Sequence, residues 1–246
     1  MIDMDGTVYK GDRVIPGAPG FIERLNEKNI PFVFLTNNSA YDRRHYHDKL
    51  VRMGFKVKID NILTSATATV SYLLKYRKGK SVYPLGTPRF VKEAEDSGIK
   101  MTDRDPDIVL LSFDKTITYE KMNNAYQFIK KGAELVATHP DDLCPTEDGY
   151  DIDIGPFIRL LESMTGVKAT IIGKPNKIMA EMAAERMDTD MKGLVMIGDR
   201  IYTDIKMASD AGIRSIMVLS GEAKREDVTP DIMPTMIADS LDDILR

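Results

Sequence analysis

Two carboxylates stand one residue apart near the start of the chain. Asp3 and Asp5 are followed by Gly6, which allows a sharp turn. In an extended segment, residues i and i+2 point to the same side, so the pattern predicts that both carboxylates face one spot at a strand end. Two such charges repel each other unless a cation or a shared proton compensates. An acidic turn is the plainer alternative, and a calcium loop is excluded because Val8 stands where that loop requires glycine.

A second pair of acidic residues lies far along the chain. An apolar run over 194–197 leads into Asp199, and Asp204 follows shortly after. Asp199 is expected at the carboxyl end of a strand and Asp204 at the start of a helix, where an acidic residue is also favoured for capping alone. If the two strands are neighbours, Asp3, Asp5 and Asp199 converge into a site of oxygen ligands that suits Mg²⁺.

A polar segment also follows the apolar run 31–35. Thr36, Asn37 and Asn38 offer a hydroxyl and amides that can donate to an anion. The alternative is that Asn38 or Ser39 caps the next helix, which is a common place for both residue types.

A single lysine follows the apolar run 169–172. Gly173 lets the backbone approach closely, and Pro175 suits the first position of a helix. Lys174 between them is expected to point at the strand ends. Beside several carboxylates, a lysine offsets their charge and can hold a phosphate group as a point charge.

The elements that must position these residues alternate between strands and helices. Short apolar runs predict buried strands, and the longer stretches between them carry helical patterns. This alternation is typical of right-handed βαβ units, so the sequence predicts an α/β fold with a doubly wound parallel sheet. Ligands bind beyond the carboxyl ends of the strands in such sheets. Strands are predicted over 31–35, 194–197 and 215–219, and helices over 17–28, 40–53, 175–187 and 203–211.

The middle of the chain has an alternation of its own. We therefore predict an inserted α/β domain over 78–168, with a core domain formed by 1–77 and 169–246. One larger continuous sheet is the alternative. The predicted strands of the middle part are 82–85, 108–113 and 135–138, and its predicted helices are 87–98, 117–131 and 155–165.

Composition narrows the class of protein further. The chain has 246 residues and a formal charge of −4, with no basic cluster, which argues against nucleic acid as a partner. The single cysteine, Cys144, excludes an intramolecular disulfide. No apolar run reaches the roughly 18–20 residues of a membrane span, and a signal peptide is not expected from the first residues. A cytoplasmic protein without membrane partners is the expectation.

Four motifs in this order identify a resemblance. IDMDGT, FLTNN, GKPN and GDRIYTD resemble those of the haloacid dehalogenase (HAD) superfamily of phosphohydrolases, and their spacing is similar to subclass IIA, the NagD-like and p-nitrophenylphosphatase-like proteins. The resemblance implies that Asp3 is the nucleophile and forms an aspartyl-phosphate. Asp5 would protonate the leaving oxygen and then activate water.

The same resemblance assigns the other motif residues. Thr36 and Asn37 would bind phosphoryl oxygens, and Lys174 would stabilise the charge of the nucleophile and of the phosphoryl group. Mg²⁺ would be held by the carboxylates of Asp3 and Asp199 and by the backbone carbonyl group of Asp5. Asp204 would keep these ligands in the correct orientation.

The inserted domain corresponds to the cap of subclass IIA, which excludes water and selects the leaving group. The segment 138–141 resembles the substrate-facing loop of the family, so His139 and Asp141 are candidate substrate contacts, although Asn is commoner at the position of His139. A solvated loop histidine is the alternative for His139. The segment 151–155 departs from the Pro/Gly-rich turn that relatives have there.

Together these features predict a Mg²⁺-dependent phosphatase of small phosphorylated metabolites, such as sugar phosphates or nucleotides. A phosphotransferase or phosphomutase of the same superfamily is one alternative, and a receiver-like phospho-acceptor module is a remote one. A homodimer through the cap is a further expectation. Only Met1 and Ile2 precede Asp3, whereas family strands begin several residues earlier, so residues are predicted to be missing upstream.

Overall fold

Short strands separate helices along most of the chain. The structure, a computed structural model, describes residues 1–146 and 149–245. The strands are β1 (Ile2–Asp3), β2 (Tyr9–Lys10), β3 (Arg13–Val14), β4 (Phe34–Thr36), β5 (Ile62–Thr64), β6 (Ser81–Leu85), β7 (Lys100–Met101), β8 (Ile108–Leu111), β9 (Glu134–Ala137), β10 (Leu143–Thr146), β11 (Gly149–Ile152), β12 (Thr170–Ile171), β13 (Val195–Gly198), β14 (Arg214–Val218) and β15 (Met236–Ala238). The helices are α1 (Ala18–Glu27), α2 (Arg43–Arg52), α3 (Ser65–Tyr76), α4 (Pro88–Asp96), α5 (Tyr119–Lys130), α6 (Gly155–Thr165), α7 (Lys177–Arg186) and α8 (Lys206–Ala211).

Contacts between the elements divide the chain into two units. The first, here called the core unit, comprises Met1–Thr36, Arg43–Leu63 and the described residues from Lys174 onward. The second, here called the inserted unit, comprises Asn37–Asp42 and Thr64–Gly173. The predicted domain boundaries at 77/78 and 168/169 fall inside the inserted unit. They stay a prediction, because contacts between elements do not test which part folds on its own.

The main sheet has β1 near its middle. Its strand order is β15-β14-β13-β1-β4-β5, and the parallel register pairs Ile2 with Ile197 on one side and with Phe34 on the other. β1 is only two residues long but both are buried. The strands next to β1 therefore bring their carboxyl ends to the same edge as Asp3.

Large apolar side chains hold the core unit together. Phe21 and Ile22 of α1 pack with Ile2, Phe34 and Leu50, all at most 1% exposed. Burying one such side chain contributes roughly 1.5–3 kcal/mol relative to leaving it in water. The N–H of Ile2 also donates to the carbonyl of Val33, and the N–H of Ile197 donates to the carbonyl of Met1, both at 2.9 Å. The short central strand is thus held by hydrogen bonds to both neighbours as well as by apolar packing.

The inserted unit has a separate parallel sheet of order β12-β9-β8-β6-β7, next to an antiparallel pair of β10 and β11. All four residues of β8 are buried, as a strand covered on both faces requires. Thr87 and Thr118 begin α4 and α5 by accepting the backbone N–H of Phe90 and Lys121. The predicted α/β fold with an inserted α/β segment is confirmed, and the alternative of one continuous sheet is wrong.

Two strands and one helix are among the elements of the structure that are not predicted from the sequence. β5 and β15 are three residues long, too short for a periodicity to stand out. α3 buries small residues on most of its sides, so it lacks the apolar stripe of a surface helix. Among the described residues, no helix is both long and apolar enough to cross a lipid bilayer.

Candidate active site

Asp3 ends β1 at the centre of the main sheet. Its Cα pairs with that of Leu35 in β4, and the residue as a whole is 7% exposed. The carboxylate therefore lies at the edge where parallel strands leave their last side chains, and where ligands bind in such sheets.

Asp199 and Asp204 join Asp3 at this edge. Asp199 directly follows β13, the neighbour of β1, and Asp204 lies in a π-helical turn, Ile201–Ile205, that leads into α8. One carboxylate oxygen from each of the three residues lies within 4.8 Å of the others, and all three residues are buried. Three anionic oxygen donors at this separation fit a small hard cation such as Mg²⁺.

Lys174 is the cation that the structure places in this cluster. Its ammonium group donates to Asp3 and to Oδ1 of Asp204, the latter at 2.6 Å, and the side chain is almost fully buried. Lys174 lies two residues before Asn176, which caps α7 by accepting the N–H of Ile178. The expectation that Pro175 opens this helix is wrong, since α7 begins at Lys177.

Further donors fix the orientation of the carboxylates. Oγ1 of Thr7 donates to Asp199 at 2.9 Å, and the backbone N–H of Glu222 donates to its other oxygen at 2.9 Å. The backbone N–H of Arg200 donates to Asp204 at 3.1 Å. Sequence reasoning missed Thr7 and Glu222. Thr7 belongs to the IDMDGT motif and could have been found there, whereas a backbone donor leaves no signal in the residue type.

Two glycines bring the backbone close to Asp199. A β-carbon at Gly6, where φ is +89°, or at Gly221 would overlap the Asp199 carboxylate. Both positions therefore require glycine for space, and Gly6 also requires it for its backbone conformation.

Burial dominates the electrostatics of the cluster. It raises the pKa of Asp3, Asp199 and Asp204 to about 6 each, against an opposing effect of Lys174 on Asp3 and Asp204. Burial alone would lower the pKa of Lys174, but the charges of Asp204 and Asp3 outweigh it, so that pKa is raised. Lys174 thus stays charged at neutral pH. When all three carboxylates are ionised, the cluster carries excess negative charge that a further cation would compensate.

Asp5 lies apart from the three buried carboxylates. β1 ends at Asp3, and the chain turns through Gly6 with the N–H groups of Thr7 and Val8 donating to Met4. The Asp5 side chain is consequently exposed, and its carboxylate is not part of the buried cluster. That the Asp3 and Asp5 carboxylates face one spot at the strand end stays a prediction. Partial burial still raises the pKa of Asp5, against the opposing charge of Lys49.

The remaining predicted residues lie on both units. Thr36 ends β4 in the core unit and is half-buried. In the inserted unit, Nδ2 of Asn37 donates to Oδ1 of Asp141 at 3.0 Å. Oδ1 of Asn38 accepts the N–H of Ala40, which precedes α2, so the expectation that Asn38 caps this helix is wrong. Ser39 does not cap it either, because its hydroxyl accepts the N–H of Phe113.

His139 is fully buried in the inserted unit, with Nε2 at 2.9 Å from Oδ1 of Asp153. A solvated loop histidine, the alternative considered from the sequence, is therefore excluded. Asp153 belongs to the segment 151–155 that departs from the family pattern, and no sequence pattern predicts its pairing with His139.

Comparisons with known proteins agree with this fold and site. Residues 1–100 match the family model described as haloacid dehalogenase-like hydrolase, and residues 171–244 match a second, HAD-hydrolase-like model. The chain is 34% identical to the 5'-nucleotidase YutF of Bacillus subtilis over 98% of this chain and 94% of that protein. It is 33% identical to an acid sugar phosphatase of Staphylococcus saprophyticus over 100% of this chain and 96% of that protein.

Solved structures give the same result. The chain superposes on the 4-nitrophenylphosphatase of Thermotoga maritima with a TM-score of 0.90 and 39% identity, covering 98% of this chain and 93% of that one. It also superposes on NagD of Escherichia coli with a TM-score of 0.92 and 28% identity, covering 99% and 96%. The fold and the buried acidic site thus define a phosphomonoester hydrolase. The chain belongs to the HAD superfamily, in its NagD-like, p-nitrophenylphosphatase subfamily of class IIA.

Proposed function

We propose that this phosphatase hydrolyses small phosphorylated metabolites, of the sugar phosphate or nucleotide type, through an aspartyl-phosphate on Asp3 with Mg²⁺ as cofactor. The observation that carries the proposal is the contact of Lys174 with both Asp3 and Asp204 beside Asp199. Nucleotide and sugar phosphate hydrolysis by the relatives named above supports the substrate class.

In the first step a carboxylate oxygen of Asp3 attacks phosphorus, and the bond from phosphorus to the leaving oxygen breaks. Asp5 gives its proton to that oxygen, and its exposed side chain suits a group that meets substrate from the solvent side. Although burial raises the pKa of Asp3 to about 6, this value still lies below neutral pH, so the carboxylate is mostly ionised and can act as the nucleophile.

In the second step a water molecule attacks phosphorus of the aspartyl-phosphate, and Asp5 takes its proton. Inorganic phosphate leaves and Asp3 is regenerated, so atoms and protons balance over the cycle. Lys174 stabilises charge on Asp3 and on the phosphoryl oxygens in both steps, and Thr36 with Asn37 and Asn38 supplies hydrogen-bond donors to them.

The donor set fits Mg²⁺. Asp3, Asp199 and Asp204 would hold the ion, together with the carbonyl group of Asp5. When bound, the ion neutralises charge on the phosphoryl group. Three buried carboxylates with one lysine leave excess negative charge, which supports a cation here.

The inserted unit is the proposed cap, and Asp141 with His139 is the part of it that we assign to substrate selection. Asp141 would act through its contact with Asn37, which links it to phosphoryl binding. A homodimer through the cap, a cytoplasmic location and the absence of nucleic acid partners stay predictions.

The test is phosphate release from p-nitrophenyl phosphate and from a panel of sugar phosphates and nucleoside monophosphates, with Mg²⁺ and with EDTA. Asp3→Asn should lower kcat by about 10⁴-fold or more, since a nucleophile is lost. Asp96→Asn, at an exposed surface position, is the matched control and should retain activity. Full activity of Asp3→Asn, or transfer of phosphate to a second metabolite rather than to water, would contradict the proposal.

Asp5→Asn separates the two steps. p-Nitrophenolate leaves without needing a proton, so the first step survives better than the second, which needs a base. We expect a burst of p-nitrophenolate equal to the amount of enzyme, followed by a steady rate lowered by about 10²–10⁴-fold. An Asp5→Asn enzyme with a lowered rate and no burst would argue against Asp5 as the base of the second step.

A further inference from the structure

A histidine and an aspartate form a buried pair next to the predicted phosphoryl-binding segment. The His139 ring is 0% exposed, and the Asp153 side chain is 4% exposed. Nε2 of His139 lies 2.9 Å from Oδ1 of Asp153, and the same oxygen accepts the backbone N–H of Ile154 at 2.7 Å. Burying two ionisable groups costs free energy unless they form hydrogen bonds, so separating His139 from Asp153 inside the fold would be unfavourable.

The other ring nitrogen connects the pair to Asn37. Because a carboxylate oxygen only accepts hydrogen bonds, Nε2 of His139 carries a proton. Nδ1 lies 2.9 Å from Oγ1 of Thr138 and 3.4 Å from Oγ of Ser65. The Ser65 hydroxyl donates in turn to the backbone carbonyl of Asn37. Asp153, His139 and Thr138 are thus joined by hydrogen bonds, and the His139 ring lies against the Ser65 hydroxyl that holds the backbone of Asn37.

Gly173 closes this arrangement from a third segment. Its N–H donates to the carbonyl of Thr138 at 2.8 Å. A β-carbon at Gly173 would lie 2.7 Å from Oδ1 of Asn37 and 3.0 Å from Cβ of His139. The segments carrying Asn37, His139 and Gly173 are therefore closely packed, with no room for a side chain at Gly173.

We propose that His139 and Asp153 are positioning residues that fix Asn37 for binding the phosphoryl group of the substrate. The inference rests on the proposed function, in which Asn37 donates to phosphoryl oxygens. It also explains two departures from the family pattern by one contact. His139 stands at a position where Asn is commoner, and its partner Asp153 lies in the unusual segment 151–155. The pair does not exchange protons with substrate, because the ring is buried and both nitrogens are bonded.

The first test measures phosphate binding in the full-length protein. Inorganic phosphate serves as a competitive inhibitor of p-nitrophenyl phosphate hydrolysis, so its Ki reports binding apart from chemistry. His139→Asn shortens the side chain and loses contact with Asp153. We expect it to raise the Ki for phosphate and the KM by about tenfold, with a smaller change in kcat. The separate conservative variant Asp153→Asn keeps an acceptor oxygen for Nε2 of His139. It should therefore retain most of the phosphate affinity.

Asp107→Asn is the matched control for stability. Asp107 also accepts hydrogen bonds in the inserted unit, but it precedes β8 and lies at the opposite strand end from Thr138. If His139 is merely structural, His139→Asn will resemble Asp107→Asn, with fewer active molecules and an unchanged Ki and KM. That result would overturn the proposal.

The second test uses wild-type protein and does not depend on a variant that folds. The chain has three histidines, and His45 and His47 lie on α2 with partly exposed rings. In protein with ¹⁵N-labelled histidine, His139 should give one protected Nε2–H signal, which inorganic phosphate shifts. A His139 signal that stays unchanged at saturating phosphate would overturn the proposal. Absence of phosphate binding to wild-type protein would instead contradict the proposed function, so the two failures are distinguishable.

Discussion

The ammonium group of Lys174 binds two carboxylates at once, Asp3 at the end of β1 and Asp204 in the π-helical turn before α8. Its partners are far apart in the chain, and both are buried. The lysine is thereby held in one position, and in the proposed function its charge is already in place before the phosphoryl group arrives. Preorganised charge of this kind is usually the largest single contribution to catalysis.

Lys174→Met keeps the length of the side chain and removes its charge. We expect kcat to fall by about 10³-fold, because charge stabilisation is lost. In EDTA the free energy of unfolding should fall by about 3 kcal/mol, since two buried carboxylates lose their partner. Urea unfolding monitored by circular dichroism measures this. Lys177→Met, in an exposed pair with Glu181, is the control and should change neither quantity appreciably.

The pH dependence of stability follows from the buried carboxylates. The pKa values of Asp3, Asp199 and Asp204 are about 6 in the fold, above the value of about 3.9 in an unfolded chain. Between pH 4 and 6 the folded state therefore binds more protons than the unfolded state, so stability falls as pH rises. In EDTA we expect a loss of about 2 kcal/mol across this window for each carboxylate that titrates in this way.

Mg²⁺ should reverse that trend, because the ion competes with protons for the same oxygens and stabilises the folded state. Unfolding midpoints at several pH values, with EDTA and with excess Mg²⁺, provide the measurement. Asp199→Asn should flatten the profile in EDTA and weaken the effect of Mg²⁺. Identical profiles with and without the ion would show that the cluster is not a metal site.

The sequence predicts the core of this site well because strand ends are easy to recognise. Asp3 and Asp199 each follow a strand of the main sheet, and the carboxyl ends of its parallel strands meet at one edge. Lys174 instead follows β12, which belongs to the sheet of the inserted unit, so strand ends of a single sheet do not account for its position. For Asp5 the i, i+2 rule is a weaker guide, because it holds only while the chain stays extended and β1 ends at Asp3. The pairing of His139 with Asp153 depends on how β9 and the segment after β11 come together, which no local pattern contains.

A further prediction concerns acid stability of the inserted unit. The backbone N–H of Ser81, the Lys80 ammonium and the Ser81 hydroxyl donate to Asp107 and lower its pKa to about 2. A lowered pKa contributes stability above the unfolded value of about 3.9, and this stability is lost as pH falls towards 2. Asp107→Asn should lower the melting temperature at pH 6 and reduce its further fall on acidification. Asp103→Asn, at an exposed neighbouring position, is expected to melt as the wild type does.

Gly221 offers a way to disturb the acidic cluster without changing its charge. A β-carbon there would overlap the Asp199 carboxylate, so Gly221→Ala must displace Asp199 or the loop that carries residue 221. The N–H of Glu222 that donates to Asp199 would move as well. Because orienting partners of a metal ligand typically contribute about 10–100-fold to affinity, we expect Mg²⁺ to bind about tenfold more weakly.

Calorimetric titration with Mg²⁺ and the Mg²⁺-induced rise in melting temperature both report this change. Gly20→Ala is the control, since Gly20 lies within α1 and the closest atom to its β-carbon would be an Arg24 nitrogen at 3.5 Å. Alanine is the better helix former, so this variant should gain about 0.5–1 kcal/mol in stability while its Mg²⁺ affinity stays unchanged. If Gly221→Ala instead binds Mg²⁺ as tightly as Gly20→Ala does, Asp199 does not hold the ion in the orientation that the structure gives it.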